Sequence, residues 1–232
     1  MLIAAVDSTA VVGSVAIAEV EDGILKKYSL FTLKSGLTHS ETLLPMLDSA
    51  LKEFGADYGD IDLYAVSVGP GSFTGVRIGV STVKGLAFAS NIPCAPVSTL
   101  EALSANVSGG FTLALMDARR QQFYCALFAD GKRISEDAAL GIDEISAMLE
   151  SVPECTLCGD GARLFASLYK GDCRVRLAPD CALEQNALSV AMCGYRLFEK
   201  EKAVSPSMLR PVYLRMPQAE RERLEREKGE QK

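Results

Sequence analysis

The fold of this chain is decided by the stretch Gly69-Pro70-Gly71-Ser72-Phe73-Thr74-Gly75-Val76-Arg77-Ile78-Gly79. It directly follows the apolar run 61–68 and opens the helix-like run 76–89. Glycine permits positive φ and proline holds φ at about −65°, so this stretch predicts a tight turn from a strand into a helix. Ser72 or Thr74 can cap that helix. Such a turn is typical of an anion site, although a structural turn explains the same residues and the spelling is not that of a P-loop.

The residues before this turn predict strands and one helix. Three runs rich in β-branched residues predict strands at 2–6, 13–20 and 24–33. A helix is expected from Thr38, which forms a capping box with Glu41, to about Gly55. Pro45 falls inside this helix and predicts a bend.

A second round of strands and helices follows Gly110. We expect strands at 111–116, 122–129 and 156–158, and helices at 143–149, 162–168 and 186–200. Two such rounds predict duplicated α/β halves, with boundaries at 1–105 and 106–215, and the last helix could pack back on the first half. Residues 216–232 are densely charged and are expected to form a disordered tail.

Composition restricts the classes of function. The 232 residues are 48% hydrophobic, which is enough for a sizeable core, and no run approaches the ~20 apolar residues of a membrane span. The chain begins without a signal-peptide pattern and its seven cysteines are scattered, so we expect free thiols and a cytoplasmic location. A net charge of −6 without a basic patch argues against tRNA binding by the chain alone. Direct binding of tRNA would show an affinity that depends strongly on salt.

Four ordered blocks carry a resemblance to a known family. They are the glycine turn with the following 81–87, Ala5-Val6-Asp7-Ser8-Thr9, Thr38-His39-Ser40-Glu41-Thr42-Leu43-Leu44-Pro45, and Met116-Asp117-Ala118-Arg119-Arg120-Gln121-Gln122-Phe123-Tyr124. Together they resemble the TsaB (YeaZ) family, accessory proteins in the synthesis of threonylcarbamoyladenosine in bacterial tRNA. The resemblance implies an α/β fold of the actin-like, sugar-kinase-type ATPase class with two ribonuclease-H-like lobes.

The resemblance also implies partners. It predicts a heterodimer with the paralogue TsaD, recruitment of the ATPase TsaE, contact with tRNA only through the complex, no membrane, and a possible homodimer through the same helices. Small residues four positions apart form two rows, Gly75 with Gly79 and then Ser81 with Gly85 and Ala89, which predict a flat face for a docking helix. The predicted interface consists of Thr38, His39, Leu43, Leu47, Phe73, Gly75, Val76, Arg77, Gly79, Val83 and Leu86.

The sequence predicts no catalytic residue, metal or cofactor. His39 is the only histidine, and its neighbours Ser40 and Glu41 point in other directions on a helix. The paralogue TsaD carries a His-x-x-x-His metal motif, whose two histidines correspond here to Thr99 and Leu103. These two residues cannot serve as the ligand pair of a catalytic transition metal. The alternative is a self-standing ATPase or endopeptidase that would depend on Asp7 or Asp117.

Three loops fall where this fold class binds nucleotide, and they are predicted to be vestigial. They contain Asp7, Ser8 and Thr9, then Asp117 and Arg119, then Gly159 and Gly161. The first loop lacks a basic residue for phosphate, and Asp117 with Arg119 can form an internal pair instead.

Overall fold

The computed structural model describes residues 1–35 and 38–215. The tail 216–232, which we expect to be disordered, lies outside the described residues, as do residues 36 and 37. In the described part of the chain, no helix is both long enough and apolar enough to cross a bilayer.

The first sheet contains five strands in the order β3-β2-β1-β4-β5. Strands β1, β2 and β3 form an antiparallel meander, and β4 and β5 add in parallel to β1. Central β1 and β4 are almost entirely buried because both faces of the sheet are covered. The strands are β1 (Leu2–Asp7), β2 (Gly13–Glu21), β3 (Ile24–Leu33), β4 (Leu63–Gly69) and β5 (Cys94–Ser98).

Helices α1 (His39–Phe54) and α2 (Phe73–Ser90) pack against one face of this sheet. The predicted capping box is present, since the Thr38 backbone N–H donates to the Glu41 carboxylate at 3.1 Å. The predicted strand-to-helix turn is confirmed as well: β4 ends at Gly69 and α2 begins three residues before the expected Val76. Ser72 caps α2 by accepting a hydrogen bond from Gly75 N–H at 3.3 Å. Helix α3 (Thr99–Ser104) then leads into the second half.

The second half forms a mixed sheet of six strands. Five of these strands lie in the order β11-β10-β6-β7-β8. The sixth, β9, pairs with the first residues of β7, while β8 pairs with its last residues. Its core packs Phe123 edge-on against Phe165, with Phe128 buried nearby. The elements are β6 (Phe111–Asp117), β7 (Gln122–Ala129), β8 (Lys132–Arg133), β9 (Ala138–Gly141), α4 (Ile142–Leu149), β10 (Glu154–Cys158), α5 (Ala162–Leu168), β11 (Arg174–Leu177) and α6 (Asp180–Leu183).

Helix α7 (Ala187–Glu199) returns to the first sheet and covers the face opposite α1 and α2. A Cβ at Gly194 would collide with the Ala65 side chain, so this glycine brings the helix close to β4. The described residues thus form two α/β lobes, each built around one sheet. The short strands β5, β9 and β11 were not predicted; β5 contains Pro96, which interrupts a strand pattern.

The predicted role in a docking face is wrong for Gly75 and Gly79. A Cβ at Gly75 would overlap the Ser8 carbonyl oxygen, and one at Gly79 would overlap the Ser8 hydroxyl. These glycines therefore let α2 rest on the loop after β1 in the same chain, where Ser8 Oγ donates to Gly75 O at 2.8 Å. Gly85 differs, because nothing lies within 4 Å of the Cβ it lacks.

Gly75→Ala should destabilise the chain by roughly 2 kcal/mol or more, because an added methyl cannot fit against a backbone carbonyl. Gly85→Ala is the matched control within the same helix, and it should stabilise by about 1 kcal/mol since alanine is the better helix former and the space is open. Urea unfolding of both variants measures the difference. Equal free energies of unfolding for Gly75→Ala and Gly85→Ala would refute the proposed packing of Gly75 on Ser8.

Candidate functional site

A cleft of about 700 Å³ separates the two lobes. It brings together the loop after β1, the start of α1, the glycine turn, the β6–β7 turn and the C-terminal segment 212–215. Predicted site residues that line it are Thr38, His39, Thr9, Phe73, Gly75, Asp117 and Arg119. The cleft also includes Asp160, Tyr213 and Arg215, which sequence reasoning did not select.

Asp7 is buried beneath the cleft and is bonded within the chain. Its Oδ1 accepts hydrogen bonds from Thr9 N–H at 2.9 Å and Thr9 Oγ1 at 2.7 Å, and its Oδ2 accepts from Ser67 Oγ at 2.6 Å. Burial raises the pKa of Asp7, while these hydrogen bonds oppose that shift. With Ser8 turned to α2, only Thr9 of the three residues predicted in the first loop lines the cleft.

The N-terminus of α2 is partly closed by its own chain. Ser72 N–H donates to the Thr9 carbonyl at 2.7 Å, and the Ser72 hydroxyl is engaged by Gly75 N–H. The N–H groups of Ser72 and Gly75, which could otherwise bind an anion at this turn, therefore stabilise the turn itself.

Two carboxylates form the opposite wall of the cleft. Asp117 Oδ1 accepts from Arg119 N–H at 2.7 Å, and Asp160 Oδ1 accepts from Asp117 N–H at 3.2 Å. The predicted internal pair is present, with Arg119 Nη1 3.8 Å from Asp117 Oδ2. Asp160 is an exposed residue, but partial desolvation of its carboxyl group, helped by the nearby charges of Asp117 and Glu184, raises its pKa to about 6. Arg119 and Arg215 line the same cleft, so two guanidinium groups accompany these two carboxylates.

Gly159 and Gly161 bring the third loop against β6. Gly159 has a φ of 98°, and a Cβ there would overlap the Leu115 carbonyl. A Cβ at Gly161 would lie 2.9 Å from the Met116 carbonyl carbon. Both glycines are therefore explained by close backbone packing rather than by a ligand.

His39 and the two metal-motif positions are packed against their own chain. His39 Nε2 lies 2.7 Å from the Ala10 carbonyl oxygen, which engages that nitrogen. Thr99 and Leu103 are both buried. Within residues 1–35 and 38–215, no three His, Cys, Asp or Glu side chains are grouped so that they could hold a metal ion.

Comparisons with known proteins agree with the earlier resemblance. A family model described as "TsaD: tRNA N6-adenosine threonylcarbamoyltransferase" matches residues 34–163, more than half of the chain. The tRNA threonylcarbamoyladenosine biosynthesis protein TsaB of Escherichia coli (strain K12) is 31% identical over 187 residues, covering 76% of this chain and 80% of that protein. The chain belongs to the TsaB (YeaZ) family.

A further relative and a solved structure are also similar to this chain. TsaB of Bacillus subtilis (strain 168) is 36% identical over 130 residues, which cover 55% of each chain. The solved structure of YeaZ from Pseudomonas aeruginosa superposes with a TM-score of 0.76 at 24% identity, covering 92% of this TsaB-family chain and 99% of that one. The fold and the family are thus consistent with each other.

Burial corrects the predicted TsaB-type interface. Six of its residues lie in the interior of the first lobe and are inaccessible to a partner: Leu43, Leu47, Gly75, Val76, Gly79 and Val83. Thr38, His39, Phe73, Arg77 and Leu86 remain at least partly accessible. The outward side instead carries Leu44, 44% exposed, and Phe88, 70% exposed, which the sequence analysis missed. In the sequence, each of these two residues is recognisable as an apolar residue that falls outside the helical repeat of sheet-facing positions.

Segment 207–215, which we call the C-terminal strap, lies beside this outward side of α2. Val212 N–H donates to Val68 O at 2.8 Å, and Arg215 Nη1 donates to Ala118 O at 2.9 Å in the second lobe. The strap therefore spans both lobes at the mouth of the cleft.

The Asp160 carboxyl group should make stability depend on pH. Because folding raises its pKa from 3.8 to about 6, its contribution is fully present below 3.8 and is lost as pH rises through about 6. Asp160→Asn removes this loss, so the variant should gain stability relative to the wild type as pH rises from 4 to 7. Urea unfolding across that range tests this, and parallel pH profiles would contradict it.

Proposed function

We propose that this chain is a non-catalytic subunit of the complex that forms threonylcarbamoyladenosine in tRNA, and that it docks on TsaD. Family membership supports the pathway, since curated members are named as tRNA threonylcarbamoyladenosine biosynthesis proteins. The cleft supports the non-catalytic role, because Asp7, Ser72 and His39 are engaged in hydrogen bonds within the chain.

The observation that carries the docking proposal is the outward side of α1 and α2. Their inner sides are buried against the first sheet, while Leu44, Ser81, Gly85 and Phe88 face outward. The TsaD family model spans both helices, so TsaD contains a similar segment. Two related lobes can then bury equivalent helices against each other in a pseudo-symmetric four-helix contact.

The division of labour follows from the same features. TsaD supplies the transferase centre, because the positions of its metal motif are here the buried Thr99 and Leu103. This chain positions and activates TsaD, helps to recruit the ATPase TsaE across the junction, and meets tRNA only through the complex. The net charge of −6 fits that indirect role, since phosphate binding relies on Lys and Arg. The same helices mediate self-association when TsaD is absent.

Gly85→Arg should abolish the contact with TsaD without unfolding the chain, because the new side chain enters open space on the outward side of α2. We expect binding to weaken about 30-fold or more, the scale of a disrupted interface centre. Gly79→Arg would not serve as a test, since Gly79 packs on Ser8 within the chain. Titration with the TsaD subunit of the same organism measures the affinity.

Gly59→Arg is the matched control, because Gly59 also has nothing within 4 Å of its missing Cβ but lies in the turn 58–60, outside both helices. A second pair is Phe88→Glu against Leu164→Glu, two exposed apolar residues of which the latter lies on α5. Equal affinities for Gly85→Arg and wild type would refute this surface. Full modification activity in an assay that omits this chain would refute the accessory role.

A further inference from the structure

The C-terminal strap runs antiparallel to α2. Lys84 Nζ donates to the carbonyls of Ser207 at 3.1 Å and Leu209 at 3.4 Å, while Tyr213 reaches the first turn of the helix at Phe73. Leu209 is buried in the core of the first lobe. The strap is thus held along one flank of α2, and it places Tyr213 at the edge of the outward side.

Tyr213 completes a stack with two residues of α2. The Phe73 and Tyr213 rings lie 4.8 Å apart, and the Arg77 guanidinium lies 4.0 Å from the Phe73 ring centre and 5.9 Å from that of Tyr213. Arg77 Nε also donates to the Tyr213 hydroxyl at 2.9 Å. Two aromatic faces and one hydrogen bond therefore fix the plane and position of this guanidinium.

The fixed guanidinium is left without an acidic partner. Among the described residues, no carboxylate forms an ion pair with Arg77, whose single side-chain hydrogen bond uses Nε. The N–H groups of its two terminal nitrogens remain available in the fork arrangement that matches a carboxylate. Arg77 is exposed, and on the helix it is followed at intervals of four by Ser81 and Gly85.

We propose that Phe73, Arg77 and Tyr213 form a preorganised site for a carboxylate side chain of the docked TsaD-type subunit. This inference rests on the proposed function and adds the chemistry of one contact to it. The site continues the stripe through Ser81 and Gly85, so a helix that covers that stripe also reaches Arg77.

A protein carboxylate fits this site better than a free anion. Exposed apolar side chains lie along the strap, with Val212, next to Tyr213, 48% exposed and Met208, near Lys84, 60% exposed. Such a surface is stabilised by covering it with another protein, and the central arginine then requires a charged partner as it loses water. Because the stack already orders Arg77, little side-chain entropy remains to be lost on binding.

The test measures the affinity of the full chain for the TsaD subunit at low and high salt. Arg77→Gln should weaken binding about tenfold and flatten its salt dependence, because a charge pair across the interface is lost. Arg77→Lys should restore the salt dependence but not the full affinity, since lysine lacks the fork and the stacking. Tyr213→Phe should weaken binding a few-fold, because the rings still stack while the hydrogen bond to Nε is gone.

Arg163→Gln is the control, since Arg163 is another exposed arginine but lies on α5 of the second lobe. It should bind like the wild type, and the melting temperature of each variant should confirm that it is folded. Unchanged affinity and salt dependence in Arg77→Gln, while Gly85→Arg abolishes binding, would overturn the carboxylate site alone and leave the docking surface intact. If Gly85→Arg also binds normally, the proposed function itself fails. A loss confined to self-association of this chain would likewise overturn the carboxylate site.

Discussion

The close approach of α2 to the loop after β1 is the constraint on which the rest of the first lobe depends. It requires Gly75, since a Cβ there would overlap the Ser8 carbonyl oxygen, while a Cβ at Gly79 would displace the Ser8 hydroxyl that donates to Gly75 O. Once α2 rests there, Ser72 N–H reaches the Thr9 carbonyl and the turn after β4 closes. The same placement sets one wall of the cleft and decides which side of α2 faces outward.

The polar residues of the cleft are also explained by packing within the chain. Its loops contain the polar residue types that a ligand site needs, but hydrogen bonds within the chain already engage Asp7, Asp117 and Ser72. A buried carboxylate that accepts three hydrogen bonds is stabilised where it is, and it would lose them to bind a ligand. Each of these hydrogen bonds stays within one lobe and stabilises the loop that contains it.

Much of the fold could be predicted from the sequence because its signals are local. Thr38 with Glu41 marks the start of α1, and the Gly69–Ser72 turn marks the start of α2. The site was predicted less well. Helical periodicity identifies Leu43, Leu47 and Val83 as one apolar side, but it does not say whether that side covers the chain's own sheet or a partner. The contact between Arg77 and Tyr213 joins residues 136 positions apart, which no local pattern reveals.

The three glycines of α2 separate what the fold requires from what it merely tolerates. Each costs about 1 kcal/mol of helix stability relative to alanine. At Gly75 the close contact with the Ser8 backbone offsets that cost, because alanine would not fit, and at Gly79 an added methyl would displace the Ser8 hydroxyl. At Gly85 nothing within the described chain approaches, so no internal contact compensates. A flat, destabilising position between Ser81 and Phe88 is explained if another helix lies against it. The local deficit in stability at Gly85 therefore points to a contact outside this chain, on the same side of α2 that presents Arg77.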